Sequence, residues 1–249
     1  MSVHQREVAV GRSRPDTIQT AVLLPGTASD EVFVRSVFEG PLRAVGIRLV
    51  APRPRPGDRL VEGYMAALDA ASATPVLLGG VSLGAHVAVE WALANPERCA
   101  GLLLALPAWN GLPGDAPAAV SARLSAQAVR EHGLDATLAA VDTEPWLTAE
   151  LNRAWRRAGP GLAGSLDVAA SRPAPEPADL SGIGVPTGIA GCSDDPVHPI
   201  EVARTWAAAI PRAKVCATTL AALGEDRESL GRATVLAWLG AGGITRMEQ

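Results

Sequence analysis

The run Gly79-Gly80-Val81-Ser82-Leu83-Gly84-Ala85-His86 follows directly on the apolar stretch Pro75-Val76-Leu77-Leu78. It is a G-x-S-x-G pattern between a short strand and a helix of small residues, the context in which the pattern makes a nucleophile elbow. Glycines two before and two after the serine remove Cβ atoms that would clash in so tight a strand-to-helix turn. The serine then sits on a strained backbone with its hydroxyl held clear of the sheet. The helix N-terminus just beyond it favours developing negative charge.

The rest of the chain alternates strand-like and helix-like segments, the pattern of a parallel sheet covered on both faces. Strands are expected at 20–24, 46–51, 75–79, 100–106, 185–191 and 214–218, and helices at 31–45, 58–71, 83–95, 199–209 and 227–239. From Gly111 to Ser181 there is no strand signal, only amphipathic helical stretches at 117–132, 135–141, 145–157 and 161–171. An excursion of that length carries its own secondary structure and reads as a helical lid. The expected organisation is a core of residues 1–110 and 182–249 with the lid, 111–181, inserted in it. Trp109, Trp146 and Trp155 lie in or beside the lid and are candidates for an apolar, substrate-binding roof; each indole can equally serve to pack the lid onto the core.

Composition narrows the classes. With 249 residues, 48% hydrophobic and 19% charged, the chain can bury the core of one α/β domain. A net charge of −4 attracts neither a nucleic-acid backbone nor an acidic membrane. No early apolar segment suggests a leader and no later run reaches membrane length, so a cytoplasmic protein is expected. Cys99, Cys192 and Cys216 are odd in number and fit neither a disulfide framework nor metal-ligand spacing. Buried free thiols are expected, with no metal and no cofactor.

Over nearly its whole length the chain resembles the α/β-hydrolase family, whose fold is a mostly parallel sheet with helices on both faces and a helical lid. The elbow is one point of resemblance. Leu23-Leu24-Pro25-Gly26-Thr27 is a second: by that likeness the backbone N–H groups of Thr27 and Leu83 form an oxyanion hole. The third is Gly191-Cys192-Ser193-Asp194-Asp195-Pro196-Val197-His198-Pro199, which looks like the family's acid turn. Its spacing selects Asp195, with Asp194 as the alternative; either aspartate can instead be a turn or capping residue.

The fourth element, a histidine in the loop after the last strand, is missing. Where the family often has Gly-His, this chain has Gly224-Glu225, and no histidine follows His198. His198 lies in the acid turn, where it can approach the site and contact substrate, but Pro199 suggests that it opens a helix. His86 points beneath the sheet surface, His132 sits at a lid-helix end, and His4 belongs to the N-terminal segment. A serine hydroxyl is a poor nucleophile until a base takes its proton. A carboxylate on the substrate or Glu225 is the candidate base, with His198 as the weaker alternative; Glu225 would stand in a crowded anionic site beside Asp226 and facing Asp195.

This reading is an atypical, triad-deficient member with a catalytic set of Ser82, Asp195 and Glu225. Its expected chemistry is proton transfer, the epimerisation or isomerisation of a small or peptide-derived natural product, because an oxyanion hole stabilises an enolate as readily as a tetrahedral adduct. The alternatives are a slow esterase, thioesterase or acyl transferase using Ser82, or a non-catalytic small-molecule binding protein.

Overall fold

A computed structural model describes residues 18–72 and 74–243. His4 and both chain ends lie outside the described residues. Six strands form one sheet: β1 (Thr20–Leu24), β2 (Arg48–Val50), β3 (Val76–Val81), β4 (Cys99–Ala105), β5 (Thr187–Cys192) and β6 (Ala213–Thr218). Their order is β2-β1-β3-β4-β5-β6 and every pairing is parallel. All six expected strands are present, with ends shifted by a residue or two.

Side chains alternate across the strands and separate into two cores, as a sheet buried on both faces requires. Val22, Leu24, Leu78, Leu102 and Leu104 face one layer; Ala21, Leu23, Leu77, Leu103 and Ala105 face the other. The first layer holds α2 (Leu60–Ala71), α3 (Leu83–Ala94) and α8 (Ile200–Ala209), with Tyr64 and Trp206 fully buried. The second holds α1 (Glu31–Ala44) and α10 (Glu228–Gly240), anchored by Phe38 and Trp238. The three thiols form no disulfide, and burial pushes Cys99 up to about 11 and Cys192 up to about 12.

The excursion after β4 is helical, as expected: α4 (Pro117–Ala139), α5 (Pro145–Ala158), α6 (Leu162–Ser171) and the short α7 (Pro177–Leu180). The two helices expected at 117–132 and 135–141 are one element broken at Gly133, whose φ of 82° and ψ of 163° are not helical. These helices enclose a small core of their own, with Ala126, Leu138, Trp155, Leu162 and Leu166 buried. One further helix, α9 (Leu220–Glu225), follows β6, started by Thr219 accepting from the Ala222 N–H at 3.0 Å. No helix among the described residues is long and apolar enough to cross a membrane.

Trp238 tests the second layer, because its fully buried indole packs against Gly101 of β4 and Gly243, and its backbone against Gly188 of β5, where a Cβ would leave no room. Trp238→Ala is expected to lower stability by about 3–5 kcal/mol. Urea unfolding should show a lower midpoint at unchanged slope; a midpoint within error of the parent would place that indole outside the core.

Candidate active site

Ser82 stands at the junction of β3 and α3 with φ 52° and ψ −119°, a left-handed conformation that few non-glycine residues adopt. Its own N–H is held by the Ala105 carbonyl at 2.9 Å, and the turn is pressed against the end of β1. A Cβ on Gly80 or on Gly84 would fall 2.4 Å from the Leu24 carbonyl oxygen. That contact is the physical reason for both glycines of the elbow. No intrahelical partner exists for the N–H of Leu83 at the first position of α3. Gly26 backs onto the same point: a Cβ there would lie 3.5 Å from Ser82 Cβ. The Thr27 N–H follows immediately, so the two proposed oxyanion donors belong to segments packed against one another.

The acid turn follows β5. Asp195 Oδ1 accepts from the N–H of Val197 at 2.8 Å and of His198 at 3.1 Å, which curls the backbone around the carboxylate. Oδ2 then meets Nδ1 of the His198 ring at 3.0 Å, and the other ring nitrogen, Nε2, lies 3.0 Å from Ser82 Oγ. A carboxylate can only accept, so Nδ1 carries the proton of the neutral ring and Nε2 is left to accept from the serine hydroxyl. Burial opposes the charge on Asp195. The hydrogen bonds from the His198 ring and from the two backbone N–H groups outweigh it and hold the carboxyl below its ordinary value. Ser82, His198 and Asp195 therefore form one connected chain.

This geometry corrects the expectation of a serine without an imidazole. The resemblance points to the loop after β6, but the ring comes from the acid turn itself, three residues after its carboxylate. Pro199 does precede a helix, α8, as expected, yet the ring projects from the turn toward Ser82. Glu225 has no part in the chain. It is exposed at the end of α9 and hydrogen-bonds to none of the three residues, while Asp226 beside it pairs with Arg232 and accepts from the Glu228 N–H. Asp194 is also assigned: its Oδ1 accepts from the Leu220 N–H at 2.6 Å and ties the acid turn to α9.

The other candidates fall around the site. His86 is buried beneath it, its Nε2 accepting from the Ala108 N–H at 3.0 Å and its ring packed between Trp109 and Trp206. Burial, aided by His198 and Arg172, pushes its pKa down to about 3, so the ring stays neutral. Trp146 packs on Gly224 with the Arg227 guanidinium 4.3 Å above its ring. Trp155 is buried inside the excursion's own core, and His132 is exposed on α4. Trp146 and Trp155 thus stand on α5 and Trp109 in the segment after β4, each against a different part of the protein, and the three do not gather into one roof.

No protein-family profile and no curated protein sequence matches the chain. Solved structures do. A bromoperoxidase from Bacillus anthracis superposes with a TM-score of 0.69 at 18% identity, covering 90% of this chain and 92% of the other. An enol-lactonase from Burkholderia xenovorans gives 0.68 at 19% identity, with 92% and 94% covered. A thermophilic esterase from Thermogutta terrifontis gives 0.66 at 20% identity, with 92% of each chain covered. The fold is that of the α/β-hydrolases. Identities this low establish the α/β-hydrolase fold and leave the reaction to the site.

His86 supplies a test by pH. Its folded pKa is depressed, so between about 6.5 and about 3 the unfolded chain binds a proton that the native state refuses. Its contribution to stability is therefore complete above about pH 6.5 and is lost as pH falls through that window. His86→Gln should flatten the decline of the urea midpoint from pH 6.5 to pH 4. An unchanged decline would mean that the ring is protonated or exposed in the native state.

Proposed function

We propose that this protein is a serine hydrolase that cleaves an ester or thioester of a small molecule through an acyl-enzyme on Ser82. The single observation that carries the reading is the 3.0 Å contact between His198 Nε2 and Ser82 Oγ, backed by Asp195 on the opposite ring nitrogen. As Oγ attacks the substrate carbonyl, its proton passes to Nε2 and the ring becomes an imidazolium beside the Asp195 carboxylate. The carbonyl oxygen takes the negative charge and is met by the Thr27 and Leu83 N–H groups. Collapse expels the alcohol or thiol, which leaves with the proton from Nε2, and the acyl group stays on Oγ. Water then enters, gives a proton to the same nitrogen, and releases the carboxylic acid. The helical segment 111–181 serves as the cover of this site.

The proton-transfer reading, epimerisation or isomerisation, rested on a serine without an imidazole and on Glu225 as the base. The ring of His198 on Ser82 and the exposed position of Glu225 favour the hydrolase over it. A binding protein that keeps only the pocket has no use for a hydroxyl, ring and carboxylate aligned in this way.

Turnover of short aryl esters tests the proposal. Ser82→Ala and His198→Gln should each lower kcat by about 10⁴- to 10⁶-fold, and Asp195→Asn by about 10⁴-fold, whereas Glu225→Gln stays within about twofold of the parent. Equal activity in the parent and in His198→Gln would overturn the assignment of the base.

A further inference from the structure

The carboxylate of Asp30 is buried and receives more donors than any helix cap needs. Oδ1 caps α1 by accepting from the N–H of Val32 at 3.0 Å and of Phe33 at 3.1 Å. It also accepts from Arg153 Nη2 at 2.8 Å, while Oδ2 accepts from Arg153 Nε at 3.1 Å and Arg157 Nη1 at 3.2 Å. Both arginines lie on one face of α5, one turn apart, and Arg157 reaches on to Glu31. Burial works against the charge on Asp30, but these partners keep its carboxyl below the ordinary value.

Two features make this cluster more than a surface ion pair. Asp30 closes the five-residue loop from Pro25 to Ser29, which carries Gly26 against Ser82 and the N–H of Thr27; the turn is drawn tight by the Ser29 N–H on the Gly26 carbonyl at 3.2 Å. The other end of α5 is fixed as well, by Trp146 on Gly224 and Arg227 beyond β6. The helix is therefore a strap that ties the segment after β6 to the loop after β1.

We propose that Asp30 is a positioning residue that couples the strap to the oxyanion hole, so that docking of α5 and placement of the Thr27 N–H are one event. The proposal rests on the serine-hydrolase reading for its kinetic consequence but not for its structural one. Two variants separate charge from capping. Asp30→Asn keeps an N-cap acceptor, since Asn caps as well as Asp, and removes the charge that the arginines meet. The double variant Arg153→Gln/Arg157→Gln leaves the cap untouched. In each, kcat/KM for p-nitrophenyl acetate should fall about 10- to 100-fold, less than the roughly 10²–10³ for deleting an oxyanion donor outright. KM should barely move, and the Ki of phenylboronic acid, whose tetrahedral adduct puts an oxygen in the hole, should rise by the same factor as kcat/KM falls. Arg153→Lys should recover part of the loss. Hydrogen exchange should show segments 25–30 and 145–158 loosening together in the double variant. Folded variants with unchanged Ki, or exchange that rises in only one segment, would overturn the coupling. A parent protein inert toward esters and boronic acid would sink the hydrolase reading instead, and the exchange result would still decide the coupling.

Discussion

Asp195 holds its turn and its histidine with the same carboxylate. One oxygen closes the backbone by accepting two N–H groups, and the other takes Nδ1 of the ring that the closed turn has just presented. Because acid and ring are three residues apart, their mutual placement is local and needs no second loop to be brought into register. What remains is to carry this preassembled pair to the serine. The sheet does that: β3 and β5 are separated only by β4, about 10 Å from one to the other, a gap that the Ser82 and His198 side chains span.

Shifting the imidazole into the acid turn gives the region after β6 a different task. Gly224 and Arg227 receive Trp146, and the Leu220 N–H is taken by Asp194. That segment anchors one end of α5 and braces the acid turn. At the opposite end of the same helix, Arg153 and Arg157 close on Asp30 and so on the loop that leads to Thr27. Beneath both, His86 stays neutral and accepts from the Ala108 N–H, in a place where an extra charge would be costly, while its own Nδ1 has no partner.

The architecture was legible because the sheet is buried on both faces: runs such as Leu102-Leu103-Leu104 and Val76-Leu77-Leu78 have few alternatives in a chain of this composition. Ser82 was legible because the glycines around it answer a steric demand that the Leu24 carbonyl makes visible. Asp195 was legible from its spacing within the turn, although only the structure separates it from Asp194, by giving one the His198 ring and the other the Leu220 N–H. His198 was misread because the resemblance placed the base in a later loop, an ordering of the chain that the geometry does not require. The residues did carry a local signal: an aspartate that can accept from N–H groups two and three residues on, with a histidine at the third position between two prolines. The indoles were the least legible, since an apolar side chain on a lid helix can face inward to its own core, as Trp155 does, or sideways to a neighbour, as Trp146 does.

Everything turns on whether the ring of the acid turn activates the elbow serine, and covalent labelling by a fluorophosphonate reads that directly. The parent protein should acquire one adduct, mapped by mass spectrometry to Ser82, and Glu225→Gln should label at the same rate. His198→Gln should label at least a thousandfold more slowly, since the hydroxyl then has no base. Labelling that ignores residue 198, or an adduct on any residue other than Ser82, would contradict the account.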